Sequence, residues 1–343
     1  MSQEKILTIS VAAYNVESFI AENLDSILIT DVRDEIEVLV VDDGGNDGTL
    51  EIARKYEEQY PGIIRAVHKE NGGYGSVQNY SMQNASGRFF KILDGDDWVD
   101  REGLTKLVEY LRDTKADAVV TDYLKGPDKD SLTRVREWRN YKEGALMKPD
   151  SVHSRPAGMW SLTYRTSVLR KSGLVLPEHT LYTDRIYATI PFSYVRGVAY
   201  LGDPVYCYRT GRDGQSVSRE SRIKHIDEYL TVTETMCRHY AQAPDRNKNY
   251  VLRKCSDAYK VTIRILLMLP ASAENLDKIV QYEKKIKEIS KEIYKRSASP
   301  KTRMGCVLTF LRSTGYKGYW VLANLPKKMV DLCYCYSVRR SKK

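Results

Sequence analysis

Three carboxylates fall within four residues at Asp94-Gly95-Asp96-Asp97, directly after the apolar run Phe89-Phe90-Lys91-Ile92-Leu93. Like charges that close repel one another, and a divalent cation would relieve the repulsion. Carboxylate oxygens suit hard ions such as Mg²⁺ or Mn²⁺, which commonly carry substrate phosphates. Mn²⁺ or Mg²⁺ is therefore the expected cofactor, with zinc excluded by the lack of suitable cysteine spacing. Taken alone, the tetrapeptide reads at least as well as a solvated acidic turn. An EF-hand does not fit: with Asp94 at position 1, position 12 is Thr105, where a bidentate glutamate is needed.

The elements around the turn decide between these readings. Short apolar runs at Ile6–Ala13, Glu35–Val41, Ile63–His68 and before Asp94 read as strands. Helical spacing of apolar residues marks Glu17–Ile29, Thr49–Tyr60, Gly75–Ala85 and Leu104–Leu111, and Ala118–Thr121 reads as a further strand. Alternating strands and helices predict an α/β fold with a doubly wound, mostly parallel sheet. Such sheets bind ligands beyond the carboxyl ends of their strands. Four strand ends carry Ala12-Ala13-Tyr14-Asn15, Asp42-Asp43-Gly44-Gly45, Lys69-Glu70-Asn71-Gly72-Gly73 and Asp94-Gly95-Asp96-Asp97. All four are polar or glycine-rich and three carry acids, more than chance loop polarity supplies.

Residues 126–220 lose this regularity and read as loop-rich, the second half of a catalytic domain over 1–220. From 221 to 343 the pattern is helical, with one amphipathic helix expected over Lys278–Tyr294. The chain carries a formal net charge of +9, and residues 301–343 hold ten Lys or Arg against a single acid, Asp331. That segment alone accounts for the charge; the other 300 residues balance, which argues against a nucleic-acid binder. No apolar stretch is long enough to span a bilayer. The start, Met1-Ser2-Gln3-Glu4-Lys5, lacks a secretory apolar core. Six cysteines without paired spacing read as reduced thiols, so a cytoplasmic location is expected.

The four motifs resemble those of the family 2 glycosyltransferases: Ser10-Val11-Ala12-Ala13-Tyr14-Asn15-Val16-Glu17, Val40-Val41-Asp42-Asp43-Gly44-Gly45-Asn46-Asp47-Gly48-Thr49, Glu70-Asn71-Gly72-Gly73-Tyr74-Gly75 and Leu93-Asp94-Gly95-Asp96-Asp97-Trp98. The likeness is strong over 6–125, looser over 155–220 and absent from the final third. It implies a GT-A fold with a helical C-terminal extension. The implied activity is inverting transfer of a sugar from a nucleotide sugar, usually UDP-linked, to a glycan or lipid-linked acceptor. By that resemblance Ala13 and Tyr14 border the base, Asp43 bonds the uracil, and Glu17 and Asn71 frame the nucleotide. Asp94 meets the ribose or the metal, and Asp96 holds the metal.

Inversion needs a general base opposite the leaving group. The matching stretch Leu181-Tyr182-Thr183-Asp184-Arg185-Ile186-Tyr187 makes Asp184 the candidate; the same residue could simply cap a helix starting at Arg185. Glu178, His179 and Asp203 are weaker contenders. Arg209, Arg212 and Ser216 lie on a stretch able to wrap a diphosphate through guanidinium–phosphate pairs, or to form a plain turn. Gln78 stands where many members have arginine, which removes a positive charge from the donor pocket. Thr183 replaces the usual glutamate before the base. Trp160 reads either as an acceptor wall or as a core residue.

Over Tyr316–Arg340 aromatic and aliphatic residues alternate with basic ones, interrupted by Pro326. This suits an anionic membrane surface at the cytoplasmic face, with a helical cap or a dimer contact as alternatives. Two other functional classes compete with transfer. A nucleotidyltransferase needs a basic, glycine-rich loop after the first strand, which Ala12-Ala13-Tyr14-Asn15 lacks; a non-catalytic binding module of the same fold would keep nucleotide binding without turnover.

Overall fold

A computed structural model describes residues 4–154, 156–211 and 218–324. The chain divides into two compact units, Met1–Asp213 and Gly214–Lys343. In the first unit β1 (Leu7–Ala13), α1 (Glu17–Leu28), β2 (Ile36–Asp42), α2 (Thr49–Gln59), β3 (Ile64–His68), α3 (Tyr74–Asn84), β4 (Phe89–Asp94), β5 (Trp98–Val99), α4 (Arg101–Asp113) and β6 (Ala118–Gly126) follow in order. Then come β7 (Thr133–Val135), β8 (Leu162–Arg165), α5 (Thr166–Lys171), α6 (Asp184–Tyr187) and β9 (Val198–Arg209).

The strands form one nine-stranded sheet in the order β3-β2-β1-β4-β8-β6-β9-β5, with β7 paired to β6. β1, β2, β3 and β4 are mutually parallel, β8 runs against both β4 and β6, and β9 is parallel to β6. The sheet is thus mostly parallel, as the alternation of elements predicts. Ile36–Asp42 is buried along its whole length, the continuous apolar run expected of a strand covered on both faces.

The second half is more regular than its sequence implies. β9 is the longest strand, twelve residues, although Gly202-Asp203-Pro204 in its middle reads as a turn. The register against β6 shifts between Thr121 and Asp122 and again between Asp122 and Tyr123. A bulge of this kind absorbs extra residues and tolerates proline and glycine inside a strand. The strand therefore continues, and its far end delivers Tyr206, Tyr208 and Arg209 to the acidic turn.

The second unit is helical: α7 (Arg219–Lys224), α8 (Ile226–Gln242), α9 (Lys248–Leu266), α10 (Ala273–Ile289), α11 (Lys291–Ser297), α12 (Arg303–Ser313) and α13 (Tyr319–Ala323). Hydroxyls set the starts: Ser218, Ser272, Ser290 and Thr302 each accept a backbone N–H three residues on. Ser290 corrects the expectation of a single helix over 278–294. Its backbone is extended and its hydroxyl caps α11, so the amphipathic stretch is two helices. Inside this unit Glu283 is buried and takes both Nε (2.7 Å) and Nη2 (3.0 Å) of Arg312. Among the described residues no helix is long and apolar enough to cross a membrane.

Candidate active site

The acidic turn is fixed through its main chain. The Asn23 side-chain amide on α1 donates to the carbonyls of Asp94 (3.0 Å) and Asp97 (2.9 Å). Gly95 N–H donates to the Ala12 carbonyl at 3.0 Å, and Arg209 Nε donates to the Asp96 carbonyl at 2.9 Å. A Cβ on Gly95 would lie 2.7 Å from the Ala12 oxygen, so only glycine allows this approach of β4 to β1.

Ligand oxygens of Asp94, Asp96 and Asp97 fall within 4.8 Å of one another. They are not equivalent. Asp97 is buried and accepts from the Tyr206 hydroxyl (2.5 Å) and the Arg209 N–H (2.7 Å). Its oxygens serve the fold. Asp94 Oδ1 is buried with no hydrogen-bond partner. Burial first, and the charge of Asp96 second, push the Asp94 carboxyl up to about 7, with the charge of Asp184 adding to the shift. Burial, then Asp94 and Asp96, push Asp97 well above the usual carboxylate range. An underbonded buried oxygen beside a second carboxylate is the donor set a hard cation takes.

Asp184 is the first residue of α6, not a cap before it; Thr183 precedes it without a side-chain cap bond. Its charge reaches Asp94, Tyr74 and Tyr208. The structure therefore brings residue 184 to the acidic turn across ninety positions of sequence. Asp203 instead pairs with Lys106 at 2.7 Å, and His179 is tied by its N–H to the Gly72 carbonyl.

The remaining strand ends form a linked set of loops. Asp43 accepts from Gly72 N–H (3.0 Å), Gly73 N–H (2.7 Å), Lys69 Nζ (2.8 Å) and Ser76 Oγ (3.2 Å). Asn71 donates to the Asp43 carbonyl at 2.8 Å. Gly73 has φ +78, a left-handed conformation that glycine adopts without strain, and it turns the loop into α3. Glu17 accepts from Gly48 N–H, while Asp47 accepts from Glu17 N–H, so the loops after β1 and β2 lock reciprocally. The Asp43 N–H bonds the Ala13 carbonyl, and the Tyr14 side chain stands 53% exposed beside them. Gln78 on α3 is fully buried, and neither amide atom has a partner.

Arg209 is engaged within the protein. Its guanidinium bonds Glu22 (2.5 Å) and the Asp96 carbonyl, and it lies over the Trp98 ring. It braces the acidic turn. Arg212 and Ser216 lie outside the described residues. Sequence reasoning missed Asn23, Tyr74, Lys91 and Tyr206. Only Tyr206 left a readable signal, its period-2 spacing with Tyr208 on one strand face.

Residues 8–172 match the family model described as glycosyl transferase family 2. EpsH of Bacillus subtilis (strain 168) is 25% identical over 272 residues, covering 77% of this chain and 76% of its own. The poly(ribitol-phosphate) beta-N-acetylglucosaminyltransferase TarS of Staphylococcus aureus is 25% identical over 213 residues, 62% of this chain and 36% of TarS. The crystal structure of S. aureus TarS 1–349 in complex with UDP superposes with a TM-score of 0.72 at 17% identity, spanning 93% of this chain and 90% of that one. At that identity the likeness speaks for the fold, which is GT-A. Residues 8–172 belong to the family 2 glycosyltransferases, and the chain is a glycosyltransferase.

Proposed function

We propose that this enzyme transfers a sugar, with inversion, from a UDP-linked donor to an acceptor hydroxyl in the assembly of a cell-surface polysaccharide. One observation carries the reading: the buried Oδ1 of Asp94, without a hydrogen-bond partner, lies beside the Asp96 carboxylate at the end of β4 to make a pair, with the charge of Asp184 directed at it. Mn²⁺ or Mg²⁺ fits that pair, with Asp96 and Asp94 as its protein ligands; when bound, it supplies positive charge to the departing diphosphate. Asp184 takes the acceptor proton as general base. Ala13, Tyr14, Glu17, Asp43 and Asn71 frame the nucleotide, with Gln78 a neutral group in the donor pocket. Arg209 positions the acidic turn. TarS structures in complex with UDP and with UDP-GlcNAc support the choice of donor class.

A nucleotide-sugar screen with Mn²⁺ or Mg²⁺ tests this by following slow hydrolysis to free nucleotide. Metal-dependent release from one UDP-sugar, lost in Asp96→Ala, is the expected result. Failure of every donor to bind would remove the assignment, and binding without turnover in any acceptor mixture would make the chain a recognition module.

The enzyme works at the cytoplasmic face of a membrane in this reading, with a lipid-linked acceptor. Phe310, Trp320 and Val321 are exposed apolar residues, and Lys301, Arg303 and Lys317 are exposed cations of the same segment. Apolar and basic residues together bind anionic bilayers. Pro326 and the rest of 325–343 lie outside the described residues. Flotation with phosphatidylglycerol vesicles should carry the full chain and leave 1–300 behind; equal behaviour of the two would sink the membrane role.

A further inference from the structure

Three partly open aromatic rings meet beside the acidic turn. Trp160 stacks on Tyr123, with centroids 5.4 Å apart and planes at 27°, and meets Tyr208 at 5.4 Å and 39°. Trp138, Tyr164, Tyr187 and Tyr206 are fully buried. Tyr123, Trp160 and Tyr208 are each only partly buried. A core cluster buries its rings, whereas a recognition surface leaves part of each ring open.

The rings are held in place by the sheet. Tyr123 on β6 faces Tyr206 on β9 in register, and Tyr208 follows on the same face two residues later. Trp160 belongs to the short turn Met159–Ser161. Its carbonyl accepts from Lys91 Nζ at 2.7 Å, so a fully buried lysine from the middle of β4 pins its main chain. A Cβ on Gly158 would lie 2.8 Å from the indole, so glycine lets the ring lie close over the backbone. The indole N–H is buried with no acceptor. Such a donor is unfavourable in a finished core and ordinary where a ligand completes the site.

The cluster also adjoins the chemistry. The charges of Asp97, Asp94, Asp96 and Asp184 all bear on the Tyr208 phenol, after burial, in raising it to about 12. Met159 receives the Tyr74 hydroxyl at 3.4 Å, and Tyr74 itself feels Asp94 and Asp184. Trp160 therefore borders the side of the acidic turn where Asp184 stands.

We infer that Tyr123, Trp160 and Tyr208 form a platform on which the terminal sugar ring of the acceptor stacks, presenting its hydroxyl toward Asp184. The inference rests on the transferase reading and deepens it by naming the acceptor class as a pyranose with an open C–H face. Aromatic rings carry negative potential on their faces, and the ring hydrogens of a pyranose present a weakly positive, apolar face to match. A linear polyol phosphate has no such face.

Saturation-transfer NMR on the full chain with UDP and diamagnetic Mg²⁺ tests this. The probes are methyl glycosides of glucose, galactose, mannose and N-acetylglucosamine, with ribitol 5-phosphate as comparator. At least one glycoside should receive saturation at its ring C–H protons. Trp160→Ala should weaken that contact about tenfold, and Trp160→Phe should restore part of it. UDP affinity should stay within about twofold across the variants. Tyr123→Leu, which leaves Trp160 in place, should weaken the same glycoside if Trp160→Ala does not fold. No glycoside contact, contact indifferent to both substitutions, or preference for ribitol 5-phosphate overturns the inference. A parallel loss of UDP binding overturns it too, by giving the rings to the donor. Should wild type fail to bind UDP, the donor reading falls, and the glycoside contrast is read without nucleotide.

Discussion

After β2 the chain runs Asp42-Asp43-Gly44-Gly45-Asn46-Asp47, and after β4 it runs Asp94-Gly95-Asp96-Asp97. Both loops sit at the carboxyl edge of the sheet and both hold three acids. In the first, every carboxylate meets donors. Asp42 takes Gly45 N–H and His68, Asp43 takes two glycine N–H groups and Lys69, and Asp47 takes Glu17 and Thr49 N–H groups. In the second, Asp97 is served by Tyr206 and Arg209, while Asp94 keeps a buried oxygen without a donor and bears the charge of Asp96. Composition is shared; the supply of N–H groups is not. A saturated carboxylate organises loops, and an unsaturated one is left for chemistry.

The sharpest way to break that contrast is Asp96→Asn. Transfer activity should fall about 10³-fold, with a melting temperature equal to or above wild type without metal, because a repulsion is removed. A destabilised Asp96→Asn protein would place Asp96 with the structural acids. The converse substitution, Asp43→Asn, should cost about 2–3 kcal/mol in urea unfolding, since it leaves Lys69 and backbone N–H groups poorly matched. A fully stable Asp43→Asn protein with weakened UDP binding would move Asp43 to the chemical class.

Lys91 offers a third case, a buried cation held by the Trp160 carbonyl. Burial lowers its ammonium to about 7 from an ordinary 10.5. The unfolded chain then binds more protons between about pH 7 and 10.5, so stability rises with pH across that window. Below about 7 the full penalty stands, roughly 5 kcal/mol. Lys91→Met should therefore stabilise the protein at pH 6 and gain less at pH 10, as denaturant curves at the two values will report. The smallest effect concerns metal affinity. Asp94 is raised, so the folded state holds a proton from about pH 4 up to about 7 and stability declines over that range. A cation must displace that proton. The thermal shift given by Mn²⁺, about 1–2 kcal/mol at saturating ion, should grow as pH rises to 7 and then level off. A shift independent of pH would place the ion elsewhere.

The four strand ends of the first half were legible because each is local: an apolar run, then acids and glycines within six residues. So were most helices there, within a residue or two at each end except for α4. What binds these pieces was not legible. Tyr206 reaches Asp97 across 109 positions and Asn23 reaches Asp97 across 74, and no window of sequence reports such partners. β9 was hidden by Gly202-Asp203-Pro204, whose turn chemistry the bulge overrides. Ser290 looked like one polar residue on an amphipathic helix and is a cap that ends it. Arg209 shows the same limit from the other side. Its type and loop context fit phosphate, and no window of sequence reports that Glu22, Trp98 and the Asp96 carbonyl engage it.

The clamp on the acidic turn has a consequence for redesign. Asn23, the Ala12 carbonyl and Arg209 Nε each grip a carbonyl or an N–H of the turn's main chain. The turn is a socket held by its main chain. Asparagine at either position should leave that backbone in place, and a softer imidazole nitrogen at residue 96 should shift preference toward later transition metals. Metal identity here is a setting that can be changed without rebuilding the frame that holds it.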